Sequence, residues 1–212
     1  MSSRNGGQSI TGTSHEASDL SQFASNSFVS LYVAFEGFLS DLFLAYLNRD
    51  SSALKADLSS RVSQSVQTKF GKAVSSRTWM TFSRHLSVDT IAGLVDPDAR
   101  NLEFTSCEAM KLKAKQLLSP VHRSRILFLT AEEERLLDTA RAIRHFIAHR
   151  SAASKDAMNA KLATVSKGGG NPYLGRSNRK VHDVGLYLRA TAGGLARVAH
   201  YASGLKAIAT KL

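Results

Sequence analysis

The chain has 212 residues, 43% apolar and 21% charged, which is enough for one soluble domain with a sizeable core. A single cysteine, Cys107, excludes an intrachain disulfide and suits a reducing cytoplasm. The formal charge of +11 is unevenly spread: residues 1–150 carry 18 lysines and arginines against 15 acids, and residues 151–212 carry 10 against Asp156 and Asp183. Such an excess favours a polyanionic partner, RNA first, with DNA or an acidic protein next.

In chain order, residues 1–18 are polar and rich in Ser, Gly and Thr. They lack the apolar core of a signal peptide and are expected to form a disordered tail. From Asp19 a single helical domain is expected to run to residue 212. Phe28, Leu31, Tyr32, Phe35, Leu39, Leu42, Phe43, Tyr46 and Leu47 recur at helical spacing and predict a long first helix. Glu36 and Asp41 interrupt its apolar run, so it reads as a core helix rather than a membrane span. Residues 51–76 read as a second, more polar helix, with Leu54, Leu58, Val62 and Val66 on one stripe. Residues 77–100 are ambiguous apart from a turn at Asp96-Pro97-Asp98, and Pro120 divides two short helical pieces over 106–118 and 123–129.

The strongest helix follows. Thr130 is a favourable N-cap, and Glu132, Glu133 and Glu134 place negative charge on the first turn, where the helix dipole stabilises it. Leu136, Ala140, Ile143 and Ile147 repeat at four, three and four residues, and the helix is expected to end near Arg150. A further helix spans about 155–165, then a flexible, basic, Gly-rich loop over 166–180. A last helix covers residues 181–212, weakened by Gly193-Gly194. With no repeat and no strand, the expected fold class is all-α, a helical bundle with a long first helix and a C-terminal helix.

On a helical wheel with Leu136 at zero, Ile147, Ala140 and Ile143 fall within about 40°. Arg144 lies near 80°, at the edge of the apolar stripe, while Arg141, His145 and His149 lie near 140°, 180° and 220°. They form a basic ridge opposite the core. With 16 arginines and seven histidines, an Arg five residues before a His is expected by chance about half the time. The spacing alone therefore carries little; its setting on a capped helix, with the arginine at the core's edge, carries more. His145 and His149 have the i, i+4 spacing of a helical zinc pair, but Phe146 stands where a zincin has glutamate, so no metal or other cofactor is expected.

The hexapeptide RHFIAH, Arg144 to His149, resembles the R-x(4–6)-H signature of the HEPN superfamily, small all-α domains many of which are RNases. The stretch SLYVAFEGFLSDLFLAYL, Ser30 to Leu47, is similar to the first helix of RiboL-PSP-type HEPN proteins, with Glu36, Phe38 and Leu39 at its acidic, aromatic and leucine positions. Ser151 departs from the R-x4-H-x-Y form of the family, the form linked to an AMP-transferring antitoxin. The resemblance implies a metal-independent endoribonuclease in which the RNA's own 2′-hydroxyl is the nucleophile. Arg144 and His149 would be its catalytic residues, in a homodimer whose two motifs face one groove. It implies a cytoplasmic toxin or phage-defence effector, with an antitoxin protein as a partner. Histidine suits general acid–base work near neutrality, and arginine suits a developing phosphate charge. His145 and Glu36 would support them, Glu36 by orienting Arg144 or a histidine. Arg141, Arg150, Lys167, Arg176, Arg179 and Lys180 would attract RNA. The alternative is a HEPN-like module that binds RNA, nucleotide or protein without cutting. For Arg144 a salt bridge to an acid of the first helix is the other role, and the two need not exclude each other; for His149 the other role is that of a surface histidine.

Overall fold

A computed structural model describes residues 11–95, 102–165 and 180–212. Among them 78% are helical, and the only strands are two residues long, so the all-α expectation is met. The helices are α1 (Thr11–Arg49), α2 (Ser52–Phe70), α3 (Lys72–Ser75), α4 (Val88–Val95) and α5 (Cys107–Leu117). They continue as α6 (Pro120–Leu127), α7 (Ala131–His149), α8 (Ala152–Val165), α9 (Val184–Arg189) and α10 (Arg197–Lys211). The expected turn at 96–98 and nearly all of the loop at 166–180 lie outside the described residues.

The chain divides into two compact units: Met1–Val33 with Arg135–Ala207, and Ala34–Glu134 with Ile208–Leu212. The division falls inside α1, α7 and α10. The physical reason is length. At 39 residues α1 spans about 58 Å, roughly twice the diameter of a small core. Its N-terminal half buries Ala24, Phe28 and Tyr32 in the first unit, and its C-terminal half buries Phe35, Leu39, Phe43 and Leu47 in the second. By length and composition Glu16–Arg49 also qualifies to cross a membrane, yet these six large side chains are taken up by protein packing. The helix starts at Thr11, inside the segment read as a tail. An established helix propagates through polar residues at little cost, so the apolar pattern understates its length.

In the second unit the expected helix at 51–76 is broken at Gly71, whose φ of 83° no helix accommodates. Of its stripe only Leu54 is fully buried; Leu58, Val62 and Val66 are half-buried. Pro120 opens α6 at the first helical position, where its missing N–H costs nothing. The ambiguous region contains α4, anchored by buried Ile91.

In the first unit, Tyr201 is fully buried, meeting Phe28 edge-on at 5.2 Å and the Tyr187 hydroxyl at 3.2 Å. Arg197, also buried, lies 5.0 Å over the Tyr187 ring and donates to the Tyr187 carbonyl at 3.2 Å. The last helix expected over 181–212 is in fact two. A hairpin, β1 (Thr191–Ala192) paired antiparallel with β2 (Leu195–Ala196), separates α9 from α10. Gly193 and Gly194 have φ of 58° and 85°, the left-handed pair of a tight hairpin turn, so they end the helix rather than weaken it. His200 Nε2 lies 2.7 Å from the Ala192 carbonyl oxygen and fastens the hairpin to α10.

Gly185 shows how closely α9 approaches α1. A Cβ there would lie 2.3 Å from the Ser21 carbonyl oxygen, a backbone atom that cannot swing aside. Gly185→Ala is therefore expected to destabilise the protein by about 1–3 kcal/mol, read as a lowered midpoint in urea unfolding. An unchanged midpoint would mean that this approach is not a packing constraint.

Candidate active site

The site is built on α7, and α7 begins with a reciprocal cap. The Thr130 N–H donates to Glu133 Oε2 at 2.7 Å, and the Glu133 N–H donates to Thr130 Oγ1 at 3.3 Å. Lys211 Nζ reaches both carboxylate oxygens of Glu133, at 3.0 and 2.9 Å. Burial opposes charge on Glu133. The Thr130 backbone and Lys211 hydrogen bonds outweigh it and hold the carboxyl below its ordinary range.

Beyond the cap, Leu136, Leu137, Thr139, Ala140 and Ile143 are buried. Ile147, expected on the same stripe, is only half-buried, because the core fades over the last turn. α8 packs along α7: Thr139 Oγ1 donates to the Lys161 carbonyl at 3.5 Å, and Lys161 Nζ pairs with Asp138 at 2.8 Å. With that stripe inward, the ridge emerges. Arg141 and Arg144 are half-buried, and His145 and His149 are exposed. The two imidazole rings lie 4.3 Å apart at 50°. Partial desolvation, followed by the positive charges of His149, Arg141 and Arg144, pushes His145 below the ordinary histidine range. The neutral imidazole can accept a proton, and the cations around it can hold a phosphate.

The helix stops at Arg150, an exposed residue in the left-handed region with φ of 48°. Its N–H still donates to the Phe146 carbonyl at 2.8 Å, and Ser151 and Ser154 then cap α8 reciprocally. Next to this corner is a cleft of about 300 Å³, floored by Phe146 and Ile147. Ser21, Gln22, Arg150 and His182 line its rim. The His182 Nδ1 faces Lys155 Nζ at 3.4 Å.

The structure therefore brings together Arg141, Arg144, His145, His149 and Arg150. Glu36 is half-buried on α1. Lys180 is exposed, and Lys167, Arg176 and Arg179 lie outside the described residues. Among the described residues no group of three or more His, Cys, Asp and Glu side chains is placed to hold a metal. Cys107 is buried at the start of α5. The cleft was missed by sequence reasoning, because α1, α7 and the residues before α9 meet there from three distant parts of the chain and share no local motif.

A proton-sensitive NMR titration of the imidazoles should place the His145 midpoint below that of a free histidine. Its folded value lies below its unfolded one, so the unfolded chain takes up this proton first as pH falls. His145 thus lowers stability on acidification through the window beneath the ordinary histidine value. Replacing His149 with alanine removes one of the neighbouring charges and should raise the His145 midpoint; no change would show that the two rings do not interact. Comparison with protein-family models, curated proteins and solved structures finds no match for this chain.

Proposed function

We propose that this chain is a metal-independent endoribonuclease of HEPN type, acting on single-stranded or looped RNA. The observation that supports this reading best is the imidazole pair of His145 and His149, exposed and 4.3 Å apart, on the same ridge as Arg144. In this reading a base takes the proton of a ribose 2′-hydroxyl, whose oxygen attacks the adjacent phosphorus. The P–O5′ bond breaks, and an acid returns a proton to the departing 5′-oxygen. The products carry a 2′,3′-cyclic phosphate and a 5′-hydroxyl. His149 moves the proton, neutral His145 assists it, and Arg144 holds the charge on the phosphorane-like transition state. Arg144 and His149 differ by about 140° around the helix and roughly 7.5 Å along it. A second copy of the chain facing the ridge completes the site. Arg141, Arg150 and Lys180 attract the RNA backbone, and Glu36 is proposed as a supporting carboxylate. The setting proposed is the cytoplasm, where an antitoxin protein holds a toxin or phage-defence effector in check.

The cleft beside Arg150 favours a second reading, a HEPN-like module that binds RNA, a nucleotide or a protein without cutting. At about 300 Å³ it is at the lower end of small-ligand sites, and serines, Arg150, His182 and Asp183 are among its lining residues.

End-labelled RNA incubated with the protein in excess EDTA separates the two. The nuclease reading expects cyclic-phosphate ends. It also expects a loss of about 10²-fold or more in rate for both Arg144→Ala and His149→Ala. RNA that shifts in a gel but is never cut, or cutting that survives His149→Ala, would establish the binding module instead.

A further inference from the structure

We infer that the second unit carries a docking surface for single-stranded RNA, centred on Trp79. Trp79 is the sole tryptophan and is 80% exposed, an unusual position for so large an apolar ring. Phe70 is 66% exposed nine residues earlier. Lys69, Lys72, Arg77 and Arg84 are exposed in the same stretch of chain. No acidic residue occurs between Asp57 and Asp89, and Asp57 is engaged by Arg61 at 2.9 Å. Open aromatic faces interleaved with cations, without a carboxylate in the segment, match the chemistry of a strand whose bases stack while its phosphates are neutralised.

The ring is presented by an anchored segment. Ser75, the last residue of α3, is buried, its hydroxyl donating to the Ser63 carbonyl of α2 at 3.0 Å. The Thr78 N–H donates to the Ser75 carbonyl at 3.1 Å, and its hydroxyl donates to the Val74 carbonyl at 2.9 Å. On the far side, Lys55 Nζ donates to the carbonyls of Ser83 and Arg84, each at 3.0 Å, and Leu86 is buried. Trp79 therefore stands between two fixed points, and presenting it to a base costs little ordering. An acidic peptide would also meet the cations, but its carboxylates offer no aromatic ring to stack on Trp79, whereas every nucleotide carries one, so the stacked strand accounts for more of the surface.

The single tryptophan makes the test direct. A 2′-O-methyl oligouridine cannot be cut through its 2′-oxygen, so binding is read independently of the nuclease reading and survives that reading's failure. Titrating it into the full chain should quench Trp79 emission saturably, with an affinity that falls as salt rises. By anisotropy of the labelled oligomer, Trp79→Ala should bind roughly tenfold more weakly or worse, while Trp79→Phe keeps most of the affinity. Lys72→Gln and Arg77→Gln should each reduce the salt slope by about one. An oligomer that binds without quenching would overturn the proposal, as would one that does not bind. Equal quenching by polyglutamate would assign the surface to acidic peptides, and an emission shift driven by protein concentration alone would assign it to a second copy of the chain. Either result also overturns it.

Discussion

The choice of which side of α7 is buried determines the rest of the candidate site. Leu136, Ala140 and Ile143 cannot be inward unless His145 and His149 are outward, because 3.6 residues per turn leaves no other arrangement. Burial of those side chains, with Leu137 and Thr139 beside them, is worth several kcal/mol in transfer terms. Hydration of two imidazoles and two guanidinium groups acts in the same direction. The basic ridge is thus the polar complement of a packed core, and its rigidity comes from that core. Electrostatic function on such a ridge needs side chains held close together, and the core supplies that at no further ordering cost.

Charge is arranged along α7 in the order its dipole favours. Glu133 and its neighbouring glutamates occupy the first turn, and the histidines and Arg150 gather at the last. The cap at Thr130 satisfies donors that the helix cannot satisfy itself. At the other end, cations crowd together, and the cost of that crowding falls on the group able to shed its proton. His145 is that group: burial first, and then the charges of His149, Arg141 and Arg144, lower its affinity for a proton. An arginine cannot relieve repulsion in this way, so the mixture of residue types matters as much as their spacing.

Elsewhere the fold is shaped by glycine geometry and by helix length. Gly71 and the Gly193-Gly194 pair take backbone conformations that stop a helix outright, and each divides a stretch whose apolar pattern alone reads as continuous. At Gly185 the absence of a side chain admits close helix contact. α1 has the opposite character, an unbroken helix too long for one core. Exposed Trp79 and Phe70 depart from economical burial.

The sequence by itself determined the all-α class, the N-cap at Thr130, the limits of α7 and the outward direction of its ridge. Each depends on local periodicity or local hydrogen bonding, which three or four neighbouring residues express completely. Periodicity shows that α1 is apolar but not which unit each of its halves packs into. It read residues 181–212 as one helix, because a glycine pair weakens a helix or ends it according to the φ the chain adopts. Only the tertiary structure decided that Ser21, Phe146 and His182 share a cleft and that Trp79 is left in the open. Those are properties of distance and burial, set when segments far apart in the chain pack together.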